Sequence, residues 1–103
     1  MKLSLIIAMV QLGLLISCVA AEQWCVVAPG ARDEQMQAFL NTACNQLVDC
    51  KDIKPGGSCY EPDTLQNHAS YILNLVYRSK GQCDKAVGII SVNDPSFGKC
   101  QYS

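Results

Sequence analysis

Residues 59–81, CYEPDTLQNHASYILNLVYRSKG, carry a helix with both of its ends marked. Glu61-Pro62-Asp63-Thr64 opens it, and Asp63 or Thr64 supplies a side-chain oxygen for the first unpaired backbone N–H groups. Leu65, Ala69, Ile72 and Val76 then recur on one face, with Leu73 and Leu75 on its flanks. Arg78 and Lys80 fall in the last turn, where a cation meets the negative end of the helix dipole. Gly81 follows, a residue able to take the left-handed backbone that stops a helix. Towards the N-terminus, Met36, Phe39, Leu40, Ala43, Cys44 and Leu47 form a second apolar stripe at helical spacing, predicting a helix over about Asp33 to Gln46. Asp33 and Glu34 suit its positive end.

Between the two helices, Asp49 to Ser58 reads as loop, with Pro55-Gly56-Gly57 as its turn. Trp24-Cys25-Val26-Val27 precedes the Pro29-Gly30 break. Beyond the second helix, Val87 to Val92 is a short β-type run closed by Asn93-Asp94-Pro95, and Lys99 to Tyr102 is placed to return as its antiparallel partner. The expected fold is therefore small, disulfide-rich α+β: two helices, a two-stranded antiparallel sheet and long loops.

The chain has 103 residues and seven cysteines. Met1 to Ala21 carries a single charge, Lys2, then an apolar run, with small residues before Glu22. This is the pattern of a secretory signal cleaved after Ala20 or Ala21, and Cys18 would leave with it. The competing reading is an uncleaved anchor, because Leu3 to Ala21 is uncharged and near spanning length. Clustered small residues at the junction favour cleavage. Residues 22–103 then form one domain. Its cysteines are Cys25, Cys44, Cys50, Cys59, Cys83 and Cys100, an even set that in a secreted chain of this size predicts three disulfides. Spacing alone leaves their pairing open.

Composition excludes several functions. The domain is slightly acidic, which argues against a nucleic-acid partner and against a basic membrane-disrupting peptide. Zinc sites need closely paired ligands, whereas Cys44, Cys50 and Cys59 are widely spaced and His68 is the single histidine. No metal and no cofactor is expected. Glycoside hydrolysis needs two opposed carboxyls across a cleft, and the carboxylates here fall at helix starts (Asp33, Glu34, Asp63) or in loops (Asp49, Asp52, Asp84, Asp94). The protein is not expected to be an enzyme, so no catalytic residue is assigned.

One surface pattern remains. At helical spacing, Asn67, Tyr71, Asn74 and Arg78 fall on the side of the second helix opposite its apolar stripe, with Tyr77 on the rim. Tyr60 flanks this helix in sequence. A tyrosine ring presents a flat apolar face and a polar tip, and amides both donate to and accept from hydroxyls, which suits a sugar. Tyr71, Asn74, Asn67, Arg78, Tyr60 and Tyr77 are therefore the candidate carbohydrate-binding residues. The bland alternative is a solvated helix face with tyrosines packed along loops. His68 borders the apolar stripe and is expected to be a hydrogen-bonded packing residue, while Trp24 is expected to pack against a bridge.

The ordered motifs carry a resemblance. Trp24-Cys25-Val26-Val27, Asp33 through Cys44, Asp49-Cys50, Gly56 through Pro62, Asn67-His68-Ala69-Ser70-Tyr71 with Asn74, Cys83-Asp84, and Asp94-Pro95-Ser96 with Gly98 and Cys100 resemble the plant family 43 carbohydrate-binding module, also called the X8 domain. The match runs over essentially all of Trp24 to Tyr102. The resemblance implies non-catalytic binding of β-1,3-glucan such as callose, in the plant cell wall or around plasmodesmata. It implies the bridges Cys25–Cys83, Cys44–Cys50 and Cys59–Cys100. Thr42, Leu73, Val76 and Lys85 depart from aromatics common in the family, which implies fewer stacking rings. The expected form is a stand-alone module: secreted to the apoplast, monomeric, without stable membrane insertion or an anchor. The competing class is a secreted signalling or inhibitory mini-protein on the same scaffold, recognised by an exposed apolar patch. A lipid-transfer protein would need eight cysteines, including an adjacent pair, and is excluded.

Overall fold

The computed structural model describes residues 21–103, and the expected signal, Met1 to Ala21, lies outside them apart from Ala21. In order along the chain come strand β1 (Trp24–Val27), helix α1 (Asp33–Gln46), a 3-10 turn (Lys51–Ile53), helix α2 (Leu65–Lys80) and strand β2 (Gly88–Ser91).

Both helices form where their stripes place them. Thr64 caps α2, its hydroxyl oxygen accepting the Asn67 N–H at 3.1 Å. Gly81 ends it at φ 76°, a conformation a β-carbon would oppose. At α1 the cap position is Arg32, not Asp33, and the Gln35 side chain reaches back to accept the Arg32 N–H. The apolar side of α1 (Met36, Leu40, Ala43) packs on Ala69, Ile72 and Val76 of α2, with Trp24 and Tyr102 completing the main core. A smaller cluster joins Cys25, Leu73 and Val87.

The sheet differs from expectation. β2 pairs antiparallel with β1, Trp24 opposite Ser91 and Val27 opposite Gly88, and not with Lys99 to Tyr102. The Cys25–Cys83 bridge explains the choice, since it ties β1 to the chain five residues ahead of β2. Cys100 instead pairs with Phe97 across a tight turn through Gly98, whose φ of 51° favours glycine. The other edge of β1 is closed by α2 itself: Asn74 Oδ1 accepts the Cys25 N–H at 3.1 Å and Ser70 Oγ the Val27 N–H at 2.9 Å.

The remaining bridges are Cys44–Cys50 and Cys59–Cys100. The pairing implied by the family resemblance is thus present throughout. Loops closed over 58, 6 and 41 residues limit the unfolded chain by roughly 4, 2 and 4 kcal/mol in the chain-entropy model. Trp24 is buried in the main core, beside Cys25. No helix among the described residues is long and apolar enough to cross a membrane.

Candidate functional site

The placement expected for two of the six candidate residues, Tyr71 and Asn74, needs correction. Asn74 is only 1% exposed and Tyr71 6%, so neither lies on a solvated face. The helical-wheel reading takes one face of α2 as buried. In the fold α1 covers one side, β1 a second, and the segment from Cys100 to Ser103 a third. That segment lies along the face carrying Tyr71, Asn74 and Arg78. It is anchored by Cys59–Cys100. Tyr71 meets Tyr102 edge to face at 5.3 Å. Asn74 Nδ2 donates to the Ser103 carbonyl at 3.0 Å and Arg78 Nε to the same oxygen at 2.7 Å. Burial pushes the Tyr71 hydroxyl up to about 12, helped by its 2.8 Å hydrogen bond to Asp52 Oδ2. Burial alone pushes Tyr102 up to about 12. Tyr71 and Asn74 hold the fold together from inside.

The other four divide between the two ends of α2. At the C-terminal end, the Arg78 guanidinium lies 5.7 Å from the centre of the Tyr77 ring and 3.9 Å from Glu22, and Tyr77 donates to Gln23 at 3.4 Å. At the N-terminal end, Asn67 Nδ2 donates to the carbonyls of Cys59 and Pro62, both at 3.1 Å, which fixes the chain on either side of Tyr60. Asn67 and Arg78 are eleven residues apart, or about 16 Å at helical rise. They cannot belong to one compact site.

Tyr60 is the one candidate that lines a surface depression. A groove of about 610 Å³ runs between Pro55–Glu61 and Phe97–Cys100. One wall is the Tyr60 ring. Phe97 stands in the other, 41% exposed, held out by the Gly98 turn. Sequence reasoning missed Phe97. Its signal was an aromatic inside the turn-forming run Asp94 to Gly98, where no core position was expected. Glu61 and Lys99 add one charge of each sign, so the lining is close to neutral. The floor loop is tied to Asp52: Cys59 N–H donates to Asp52 O at 2.8 Å, and Gly57 sits so close to the Asp52 carbonyl that a β-carbon has no room. The Tyr60 hydroxyl donates to Asp63 Oδ2 at 2.8 Å, and that bond to a carboxylate raises its pKa above the usual 10.0.

A larger depression, about 850 Å³, lies between α1 and residues 81–87. Its lining is mostly apolar, and its one ring, Phe39, is half-buried against the core. It lacks the paired rings of the smaller groove. The exposed Leu47 lines the larger depression too, and other exposed apolar side chains are Ile89 and Ile90 of β2, Val92 just past it, and Phe97. Among the described residues, no cluster of three or more metal-ligating side chains occurs.

Comparison with known proteins places this arrangement. The family model of the X8 domain matches residues 23–87. A glucan endo-1,3-beta-D-glucosidase of Olea europaea is 42% identical over 88 residues, covering 81% of this chain and 19% of its own. The major pollen allergen Ole e 10 of Olea europaea is 39% identical over 79% of this chain and 71% of its own length. Plasmodesmata callose-binding protein 2 of Arabidopsis thaliana is 31% identical over 88% of this chain and 50% of its own. The chain therefore spans about a fifth of the glucosidases it matches, and the match takes in the strand, both helices and the Tyr60 loop. This chain belongs to the X8 domain family.

Proposed function

We propose that this protein binds β-1,3-glucan of the callose type, without hydrolysing it, through the groove between Tyr60 and Phe97. The observation that carries the reading is a half-buried tyrosine, Tyr60, and an exposed Phe97 lining one nearly neutral groove. Pyranose rings present C–H faces to aromatics and hydroxyls to carboxylate, ammonium and backbone groups, and a neutral polymer needs no net charge opposite it. Glu61 is the single carboxylate in the lining, where a glycosidase would need two. One relative is named for callose binding and another as an endo-1,3-beta-glucosidase, which supports the same ligand.

Of the residues expected from sequence, Tyr60 makes the contact and Asn67 holds the loop that carries it. Tyr77 and Arg78 lie beyond the reach of the same short saccharide segment. The protein works as a monomer, secreted to the cell wall or apoplast, with the polysaccharide as its partner and with neither nucleic acid nor membrane involved. The test is co-sedimentation with insoluble β-1,3-glucan, with cellulose and xylan alongside. Retention on β-1,3-glucan alone, lost in Tyr60→Ala and Phe97→Ala, is expected. Failure to sediment with any glycan would favour a signalling mini-protein, for which Ile89, Ile90 and Val92 offer the apolar surface.

A further inference from the structure

His68 is the single histidine of the chain, mostly buried, and neither core cluster needs it. Its contacts converge on Tyr60. His68 Nε2 lies 2.7 Å from the Tyr60 carbonyl oxygen, which can only accept, so Nε2 carries the proton. The imidazole stacks on the Tyr60 ring with centroids 5.6 Å apart and planes at 27°. Asp63 holds the far end of the same ring through Oδ2 and places Oδ1 3.8 Å from His68 Nε2. The tyrosine is thereby held at its backbone, at its hydroxyl and over one face. Only the second face remains for a ligand.

We propose that His68 and Asp63 are positioning residues that fix Tyr60 as a one-sided platform for a saccharide ring. The inference rests on the groove assignment above. Its physical content is pre-organisation: a ring already ordered loses no rotamer freedom on binding, whereas a free one does. His68 and Asp63 act through Tyr60 and touch no sugar themselves.

The experiment is a double-mutant cycle on the dissociation constant for a soluble β-1,3-gluco-oligosaccharide, using oxidised protein whose unfolding midpoint is recorded for each variant. Tyr60→Ala weakens binding about tenfold or more, as loss of a stacking ring would. His68→Leu, which removes the donor and the stacked ring, weakens it about three- to tenfold, the scale of one side chain left to order on binding. In the Tyr60→Ala background His68→Leu has no further effect, and His68→Gln, which restores a donor, recovers part of the loss. If His68→Leu does not fold, Tyr60→Phe with Asp63→Ala gives the same reading from the hydroxyl end. Each alone weakens binding, and together they are no worse than one. Equal, additive losses in both backgrounds would overturn the proposal, as would full affinity in His68→Leu while Tyr60→Ala binds poorly. Unchanged affinity in Tyr60→Ala would remove the groove assignment and the platform with it.

Discussion

Replacing Asn74 by alanine should damage this domain as severely as truncating its core, although the residue is polar and its helical position looks solvated. Its amide spans two elements: Oδ1 accepts the Cys25 N–H of β1 at 3.1 Å, and Nδ2 donates to the Ser103 carbonyl at 3.0 Å. Among the described residues it is the one amide or charged side chain that is buried. Two hydrogen bonds contribute about 0.5–1.5 kcal/mol each, and a buried donor left unpaired costs about 1–3 kcal/mol. The Cys25 N–H would be left so, because Cys25 is fully buried and Asn74 Oδ1 is the acceptor it meets. The sum is a loss of about 2–6 kcal/mol, a large share of the roughly 5–15 kcal/mol available to a small domain. Guanidinium unfolding of the oxidised protein measures it, with fluorescence of the single, buried tryptophan, Trp24, as the probe. At temperatures where the variant stays folded, its affinity for β-1,3-glucan should match the parent, since Asn74 is remote from solvent. A stability loss below about 0.5 kcal/mol, typical of an ordinary surface substitution, would refute the reasoning. So would weak binding at full stability.

Alkali should loosen the domain in a defined window. Tyr71 and Tyr102 are both raised from 10.0 to about 12, so the neutral forms favour the folded state. That stability is complete below pH 10 and is lost as pH rises towards 12. An ultraviolet tyrosinate titration should show Tyr71 and Tyr102 ionising last, near pH 12, and completion of the whole titration near pH 10 would contradict it. Gly57→Ala should lower the unfolding midpoint by the equivalent of about 1–3 kcal/mol, because its β-carbon would meet the Asp52 backbone carbonyl. A parental midpoint would show that the loop yields freely. Alkylation of the secreted, denatured but unreduced protein should label no cysteine, and reduction should unfold it, since each native bridge is worth about 2–5 kcal/mol in small secreted folds. Labelling at Cys44 or Cys50 would show that the short bridge is absent.

What could be read in advance follows the reach of each interaction. Both helices were legible because their signals are local: period, cap and stop lie within one segment, and Thr64 and Gly81 do what their positions require. The partner of β2 was not. Pairing of Trp24–Val27 with Gly88–Ser91 spans most of the domain, and the bond that enforces it, Cys25–Cys83, could be assigned only by family resemblance. Tyr71 and Asn74 were placed on a solvated face for a related reason. Periodicity describes how a helix buries one face, but α2 is the central element and meets neighbours on three sides. The amide and tyrosine expected to greet a sugar instead receive β1, Asp52 and the last residues of the chain. His68 is the hydrogen-bonded packing residue expected of it, yet its stacking on Tyr60 is a tertiary fact. Phe97 had no periodic signal at all, because a two-residue turn and not a strand or helix presents it.

The most direct test of the groove is to follow backbone amide resonances while a soluble β-1,3-gluco-oligosaccharide is added to the oxidised protein. The predicted result is a saturable set of shifts confined to Gly56–Glu61 and Phe97–Cys100, largest near Tyr60 and Phe97, with the amides of Tyr77 and Arg78 unmoved. The same oligosaccharide with β-1,4 linkages should move none of them. Saturable shifts centred on Phe39, Thr42 and Gln82, in the larger depression between α1 and residues 81–87, would contradict the account.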